Sequence, residues 1–433
     1  MPRLTWSTGP AFIPQASLPT ALQDTTNNVY ATDYEVNVGN FDAQYPLTGR
    51  QLQATYFTPF YMHGAMGAGA ATADVRATSA TVYSGTQGPY PLRAALVPLL
   101  GLPYANIRVV YVESAGCYGH NSADDVAAEA ALISKLCGKP VRLQWTRVEE
   151  HRWEPLSSAM VHLMRGGVTG STVVAWEHRV FSASHNARPN GASLSGGAGS
   201  EGNLLPAQMA IGSLPADAPA LGANTATRNA PVIYTFANNR LQRNFVKSFN
   251  LQTGTRKAAA PLNWVLPRTT ALRSLGGFSN SFANESFMDE LAAAAGTNPV
   301  AFRIAHLNPA TDQRGIDIIN AAWSQASAQP LPVAPAGYSA GRGIAFQRYE
   351  VVETYVAVVV DLLVNLSTGA LSIKRVVVAH DCGQIVNPDG LTNQIEGNVL
   401  QGISRTLKEQ VDYTADRISN NAWTDYAAFG QIA

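Results

Sequence analysis

The stretch Asn106–Arg147, NIRVVYVESAGCYGHNSADDVAAEAALISKLCGKPVRLQWTR, decides how this chain folds. Asn106–Ser114 is rich in Ile, Val and Tyr and reads as a strand. From about Ser122 the chain turns alanine-rich, with Val126, Ala130, Ile133 and Cys137 at helical spacing and Gly138 as a natural stop. Pro140–Arg147 returns to strand character, so the stretch is a strand–glycine loop–helix–strand unit. The turn at Gly116-Cys117-Tyr118-Gly119-His120 precedes the helix. Such a turn offers backbone N–H groups and the positive helix end, which suits a phosphate. No Lys-Ser/Thr follows, and the glycine spacing is not that of a dinucleotide fingerprint. Taken alone, the turn is accounted for by glycines that make it and by Ser122 as a helix cap. Asp124 and Asp125 compete for the same helix dipole. Cys117 and His120 are too few to hold a metal, and Cys117 reads as a small packed residue.

Working outward, the first thirty residues read as irregular chain. Gly49–His63 reads as a strand running into a proline-bounded turn, and Ala73–Tyr90 as two short strands with a glycine turn. Pro91–Gly101 is a short helix. His185–Asn229 is rich in Gly, Ala, Ser, Asn and Pro and reads as a long ordered loop or lid. A helix begins near Asn280 and stops at Gly296, and Asn298-Pro299 caps the next one. The proline-rich Ser327–Gly341 is the best domain boundary. Beyond it, Glu353–Asn365 and Leu371–Gly383 form a strand pair, followed by a helix carrying Ile395, Val399, Ile403 and Leu407.

The totals narrow the function classes. The 433 residues are 46% hydrophobic, enough for a large core. Thirty basic residues balance thirty acidic ones and only 14% of residues are charged, which argues against nucleic acid and suggests surface covered by partner chains. The three cysteines, Cys117, Cys137 and Cys382, form no C-x-x-C pair, so they build neither an iron–sulfur cluster nor a structural zinc site. No apolar run is long enough to cross a bilayer, and the first residues lack the continuous apolar segment of a signal peptide. Glu149, Glu150 and His151 read as solvated charge.

Two further segments carry chemistry. Gln394 and Gln401 lie seven apart, on one helix face, with Gly397 between them. A mid-helix glycine costs about 1 kcal/mol against alanine. The pattern fits close approach by a polar, multi-acceptor ligand and fits tight helix packing equally well. Arg273 and Gly276-Gly277 precede another helix. Three glycine turns, at Gly116–Gly119, Gly276-Gly277 and Gly383–Gly390, thus introduce helices on one chain, which suits a large phosphorylated cofactor gripped from several sides.

The segments from Gly85 to Pro155, Leu272 to Leu307 and Asp381 to Glu409 resemble the molybdopterin-binding large subunit of the xanthine dehydrogenase/aldehyde oxidase family. The closest branch is that of isoquinoline 1-oxidoreductase, nicotinate dehydrogenase and bacterial membrane-associated aldehyde dehydrogenases. The resemblance implies an α+β architecture in two molybdenum-cofactor-binding domains. It implies molybdenum held by a pterin dithiolene as the cytosine dinucleotide, and an aldehyde or N-heteroaromatic substrate. It also implies a partner subunit carrying [2Fe–2S] and admits a cytochrome c acceptor. The compartment stays open between the bacterial cytoplasm and the periplasmic face of the inner membrane.

By this resemblance Gln87 matches the glutamine facing the apical molybdenum oxygen, and Gly116, Cys117, Tyr118 and Gly119 match the cofactor loop. Arg273 and Gly276 match the arginine–glycine segment near substrate and cofactor, Gln394 a glutamine close to the metal's ligands, and Asn387, Pro388 and Gln401 the cofactor-binding helix. The expected domains are 49–326 and 342–433, with 1–48 an N-terminal remnant and 327–341 a linker. His63–Thr72, HGAMGAGAAT, departs from a family stretch that carries Met-Glu-Pro-Met-Asn, and AGCYGHN argues against xanthine. The family's catalytic glutamate sits in a Gly-x-Gly-Glu segment, and these residues contain none. The resemblance places it beyond Ala433, so the second domain is expected to be incomplete and no catalytic residue is assigned. A non-catalytic cofactor-binding fragment is the competing expectation.

Overall fold

The computed structural model describes residues 11–26, 29–119, 123–183, 185, 225–246, 264–349 and 353–427. The first part of the chain contributes β1 (Ala11–Phe12), α1 (Leu18–Leu22), β2 (Val29–Val38), α2 (Phe41–Gln44) and β3 (Arg50–Thr58). Then come β4 (Ala70–Val75), β5 (Ala80–Ser84), α3 (Pro89–Leu100), β6 (Ile107–Tyr111), α4 (Ala123–Cys137), β7 (Val141–Gln144) and α5 (Arg147–Trp153). Strands β8 (Met160–Thr169), β9 (Thr172–Ser182), β10 (Asn239–Val246) and β11 (Trp264–Val265) follow, then α6 (Gly277–Ala294), α7 (Pro299–Ala305) and α8 (Pro309–Ser327). The last described elements are β12 (Tyr338–Tyr349), β13 (Thr354–Asn365), β14 (Leu371–Asp381) and α9 (Pro388–Leu407). The α+β expectation holds.

The strand–loop–helix–strand unit is present, but its strands do not pair with each other. They form opposite edges of a four-stranded sheet of order β6-β5-β4-β7, in which only β5 and β6 run parallel. Helix α4 packs on this sheet through Val126, Ala127, Ala130, Ala131 and Ser134. The expected stripe is thereby corrected, since Ile133 is 42% exposed and Cys137 lies at the surface. Alanines allow the closest approach to the sheet, so they set the buried face.

A second sheet of order β2-β10-β9-β8-β3 holds a parallel β9–β10 pair among antiparallel neighbours. Among the described residues, the early chain is therefore not irregular throughout. Its strand β2 pairs along its length with β10, and β1 pairs with β11, both partners more than two hundred residues away. Local pattern carries no sign of such pairing. Of the expected His185–Asn229 loop, residues 186–224 lie outside the described residues.

The third sheet, β12-β13-β14, is antiparallel throughout. The sequence pattern showed the β13–β14 pair and missed β12, whose glycines at 341 and 343 break the strand signal. Burial along β13 alternates residue by residue, as a two-faced strand requires. Tyr355, Ala357 and Val359 meet Ile316, Ile319, Ala322 and Ala326 of α8 in the largest core. Asp361, on the same face, accepts from both Arg342 and Arg375 and so ties the three strands together. Val356, Val358, Val360 and Leu362 face the other way. With Ile395, Val399, Ile403 and Leu407 of α9 they line an apolar groove of about 840 Å³.

Candidate cofactor-binding site

Residues Arg268–Gly276 are the hub on which the candidate site hangs. Backbone bonds at 2.8 Å link Leu156 to Arg268 and Thr270 on either side, which sets this segment beside the end of α5. The Arg268 guanidinium donates to Asp125 at 2.6 Å and to the Trp153 carbonyl at 2.5 Å. Asp125 lies in the first turn of α4, so this buried bond fixes the helix that leaves the glycine turn. Its neighbour Asp124 accepts from Thr86 at 2.6 Å. The acidic pair thus anchors two flanking segments as well as meeting the helix dipole.

The glycine turn packs directly on the hub. Gly119 forms a bridge with Leu272, and the Arg273 N–H donates to the Tyr118 carbonyl at 2.6 Å. Gly119 sits at φ +127°, and a Cβ there would lie 2.2 Å from the Ala271 carbonyl oxygen. Only glycine satisfies both constraints. Tyr118 itself adopts φ 55°, an uncommon conformation for a bulky residue. The Cys117 thiol lies 3.6 Å from the Gly119 carbonyl, inside the same turn.

The Arg273 side chain reaches the other way, to α9. It donates to Gln394 Oε1 at 2.7 Å and to Gln401 Oε1 at 3.1 Å. Arg405, one turn beyond Gln401, donates to the Arg273 carbonyl at 3.3 Å, and burial lowers its pKa. Sequence reasoning missed Arg405, whose burial beside Ser404 on a helix otherwise exposed or half-buried has no local signature. Gly116, Cys117, Tyr118, Gly119, Arg273, Gln394 and Gln401, expected from distant parts of the chain, therefore converge on one assembly.

The other expected residues stand differently. Gln87 is exposed in the loop after β5, while Gly116 lies in the loop after β6. Because β5 and β6 run parallel, both loops leave the same end of the sheet. Asn387 caps α9, its Oδ1 accepting from the Gly390 N–H at 3.0 Å. Gly276 opens α6 where the backbone of Ala226 passes, 2.0 Å from where its Cβ would lie. Helix capping and close packing account for these last two without a ligand.

One reading of the sequence is corrected at α5. Glu149 is exposed, but Glu150 and His151 are fully buried. Thr146 and Glu149 form a capping box, visible in the sequence as T-x-x-E. Glu150 accepts from the Gly69 N–H at 2.9 Å and from Arg147 at 2.5 Å. Arg147 also donates to the carbonyls of Ala65 at 2.7 Å and Met66 at 2.9 Å. His151 is held to a pKa of about 4, by burial first and then by Arg147. These charges clamp the 65–69 segment, whose Gly67, Ala68 and Gly69 line, with Gly85, Ser114 and Gly116, a cavity of about 440 Å³ beside the glycine turn.

The residues present fit a large ligand rich in acceptor atoms. Both carboxamide oxygens are committed to Arg273, which leaves the NH₂ groups of Gln394 and Gln401 as donors. Between them, a Cβ at Gly397 would meet no protein atom within 4 Å. The small residues around the 440 Å³ cavity leave backbone groups approachable beside Gly116.

A glycine turn, an arginine and two helical amides gathered by an α+β fold make a candidate cofactor-binding site. Comparison with known proteins gives the cofactor. Two family models, each described as a molybdopterin cofactor-binding domain, match residues 22–199 and 292–430. One of the subunits of nicotinate dehydrogenase from Pseudomonas putida is 35% identical over 399 residues, covering 90% of this chain and 30% of that protein. The beta subunit of isoquinoline 1-oxidoreductase from Brevundimonas diminuta is 25% identical over 358 residues, covering 80% of this chain and 39% of that protein. The fold matches quinoline 2-oxidoreductase from Pseudomonas putida 86 with a TM-score of 0.72 at 12% identity, over 98% of this chain and 73% of that one. The chain thus spans 30% and 39% of the first two relatives. It belongs to the molybdopterin-binding oxidoreductase family of xanthine dehydrogenase/aldehyde oxidase type.

Proposed function

We propose that this chain forms the cofactor-holding part of a molybdenum hydroxylase large subunit that oxidises an aldehyde or an N-heteroaromatic carbon. The observation that carries the reading is the Arg273 bridge, which joins the Gly116–Gly119 turn to Gln394 and Gln401. When bound, molybdopterin supplies the redox chemistry, with oxygen drawn from water. The chain's own residues bind and orient. Gly116–Gly119 offers backbone to the edge of the ligand, and Arg273 fixes the two amides so that their NH₂ groups donate. Gln87, exposed at the same sheet end, reaches the ligand from the loop after β5.

The resemblance of the cofactor segments supports the cytosine dinucleotide form. The relatives' names as subunits support a partner chain, and we assign it the [2Fe–2S] cluster to which electrons pass. The neutral, lightly charged composition is consistent with a covered surface. The branch favours an N-heteroaromatic or aldehyde over xanthine.

The test is molybdenum content per chain, by plasma mass spectrometry, after expression in a host that makes the cofactor. The reading expects near one atom per wild-type chain. Q394A and Q87A are each expected to lower it several-fold. Molybdenum absent from the wild type, or unchanged in both variants, overturns the assignment. Turnover of an aldehyde with a dye acceptor would reject the competing view of a non-catalytic fragment.

A further inference from the structure

The Ala271 carbonyl is held from two sides. Gly119 closes on it from one, as the 2.2 Å approach of a notional Cβ shows. His63 Nε2 lies 2.9 Å from it on the other. A carbonyl only accepts, so Nε2 carries a proton. The second ring nitrogen, Nδ1, then faces Glu154, 3.8 Å from Oε2. Both side chains are essentially without solvent contact.

A lone pair on Nδ1 facing a bare carboxylate in this setting would be repulsive. One proton therefore resides on Glu154 or on Nδ1, and the pair is neutral overall. Burial, and next the nearby Glu150, push the Glu154 carboxyl well above the usual carboxylate range, and Arg147, the His63 backbone N–H and Arg268 offset this only in part. No side chain donates a hydrogen bond to either oxygen of Glu154 among the described residues. A buried carboxyl in that position requires an account, since native structures rarely keep one.

The placement of the two residues supplies it. Glu154 follows α5 directly, two residues before Leu156, which pairs with the hub. His63 opens HGAMGAG, the segment that α5 clamps through Arg147 and Glu150 and that lines the cavity beside Gly116. We propose that His63 and Glu154 are positioning residues that fix the Ala271 carbonyl, hold Leu272 and Arg273 in register with Gly119, and so set the Arg273 bridge to the amides. The link to the cofactor rests on the functional reading above. The link to the Arg273 register does not.

Two measurements on the full chain separate these. The first is hydrogen exchange of the Arg273 amide, which donates to Tyr118, with β13 amides as an internal reference. The second is pterin released by acid and oxidised to its fluorescent form. His63→Leu removes the donor to Ala271, while His63→Gln keeps an N–H of similar reach. H63L is expected to raise Arg273 exchange at least tenfold and lower bound pterin at least fivefold, with β13 unchanged. H63Q is expected to restore both most of the way. Should H63L fail to fold, E154L against E154Q makes the same comparison, because the carboxamide introduced by E154Q can face Nδ1 and keep the ring's tautomer.

Arg273 exchange equal to wild type in H63L, or in E154L where that pair is used, overturns the proposal. So does H63Q no better protected than H63L. A wild-type chain that holds no pterin defeats the cofactor reading alone, and the exchange comparison still decides the register.

Discussion

Replacing Gly119 by alanine tests the convergence of the glycine turn with Arg273 most directly, and Gly138 is its natural control. Both glycines have positive φ, +127° and +65°, but they differ in surroundings. A Cβ at Gly138 would meet nothing within 4 Å, so Gly138→Ala incurs only the left-handed penalty of roughly 1–2 kcal/mol. A Cβ at Gly119 would lie 2.2 Å from the Ala271 oxygen and 3.0 Å from Leu272 Cα. Backbone has to move, and the Arg273 N–H loses its 2.6 Å bond to Tyr118, worth about 0.5–1.5 kcal/mol. With backbone strain of roughly 1–3 kcal/mol at such a φ, Gly119→Ala is expected to lose about 3.5 kcal/mol, some 2 kcal/mol beyond the control. That difference is about a thirtyfold change in the folding equilibrium. At a urea slope of about 3 kcal/mol per molar, it separates the two midpoints by roughly 0.7 M. Bound molybdenum should fall in G119A and stay near wild type in G138A. Equal midpoints and equal metal would refute the claim that Gly119 is required by close packing on the Arg273 strand.

Three further outcomes follow from the buried charges. Asp361→Ala leaves Arg342 and Arg375 without their shared carboxylate, and should cost about 3 kcal/mol in urea unfolding; a loss under 1 kcal/mol would show that the clamp is idle. Arg303, fully buried, donates to Glu285, to Asp289 and to two carbonyls, so Arg303→Met is expected to lower stability by roughly 3–5 kcal/mol, and a neutral result would contradict that network. Burial holds His178 at about 3 and His185 at about 4, both below the roughly 6.5 of an unfolded chain. The unfolded state therefore binds more protons between these values. Stability is complete above about pH 6.5 and falls as pH drops toward 4, by up to about 1.4 kcal/mol per unit for each histidine. Thermal melts from pH 7.5 to 4.5 read this, and His178→Gln should flatten the slope; an unchanged slope in that variant would assign the acid loss elsewhere.

How far the sequence carried these conclusions depends on where each signal resides. Helix ends were legible because their causes are local. Asn298 caps α7 through its own side chain, Gly101 ends α3 at φ 66°, and Gly138 follows α4. The amide pair of α9 was legible as a pattern without an agent, since spacing puts Gln394 and Gln401 on one face but cannot name what joins them. The agent is Arg273, more than a hundred residues earlier, seen in the sequence as part of another glycine turn and, by the resemblance, as an arginine near substrate and cofactor. Three glycine turns suggested one ligand, and the first packs on the segment that leads into the second, Gly119 against Leu272. The third contributes a capped helix start at Asn387, so its role in the sequence pattern was partly structural. Long-range strands left no trace, because β1 and β2 are defined by partners far along the chain.

The α5 residues show why the remainder stayed hidden. Glu149 and Glu150 are adjacent and chemically identical, so composition treats them alike. A helix turns about 100° between them, which sends Glu149 back to its own N-cap and Glu150 inward. Inward is tolerable for a carboxylate only where partners wait, and these are Arg147 on the same helix and the Gly69 N–H eighty-one residues earlier. The Gly69 backbone can approach because Gly67, Ala68 and Gly69 are small, the same feature that opens the cavity beside Gly116. The small residues at 67–69 and the burial of Glu150 are therefore two sides of one arrangement. The segment is held in place by charges from α5, and its Gly67-Ala68-Gly69 run, free of large side chains, leaves room beside the glycine turn.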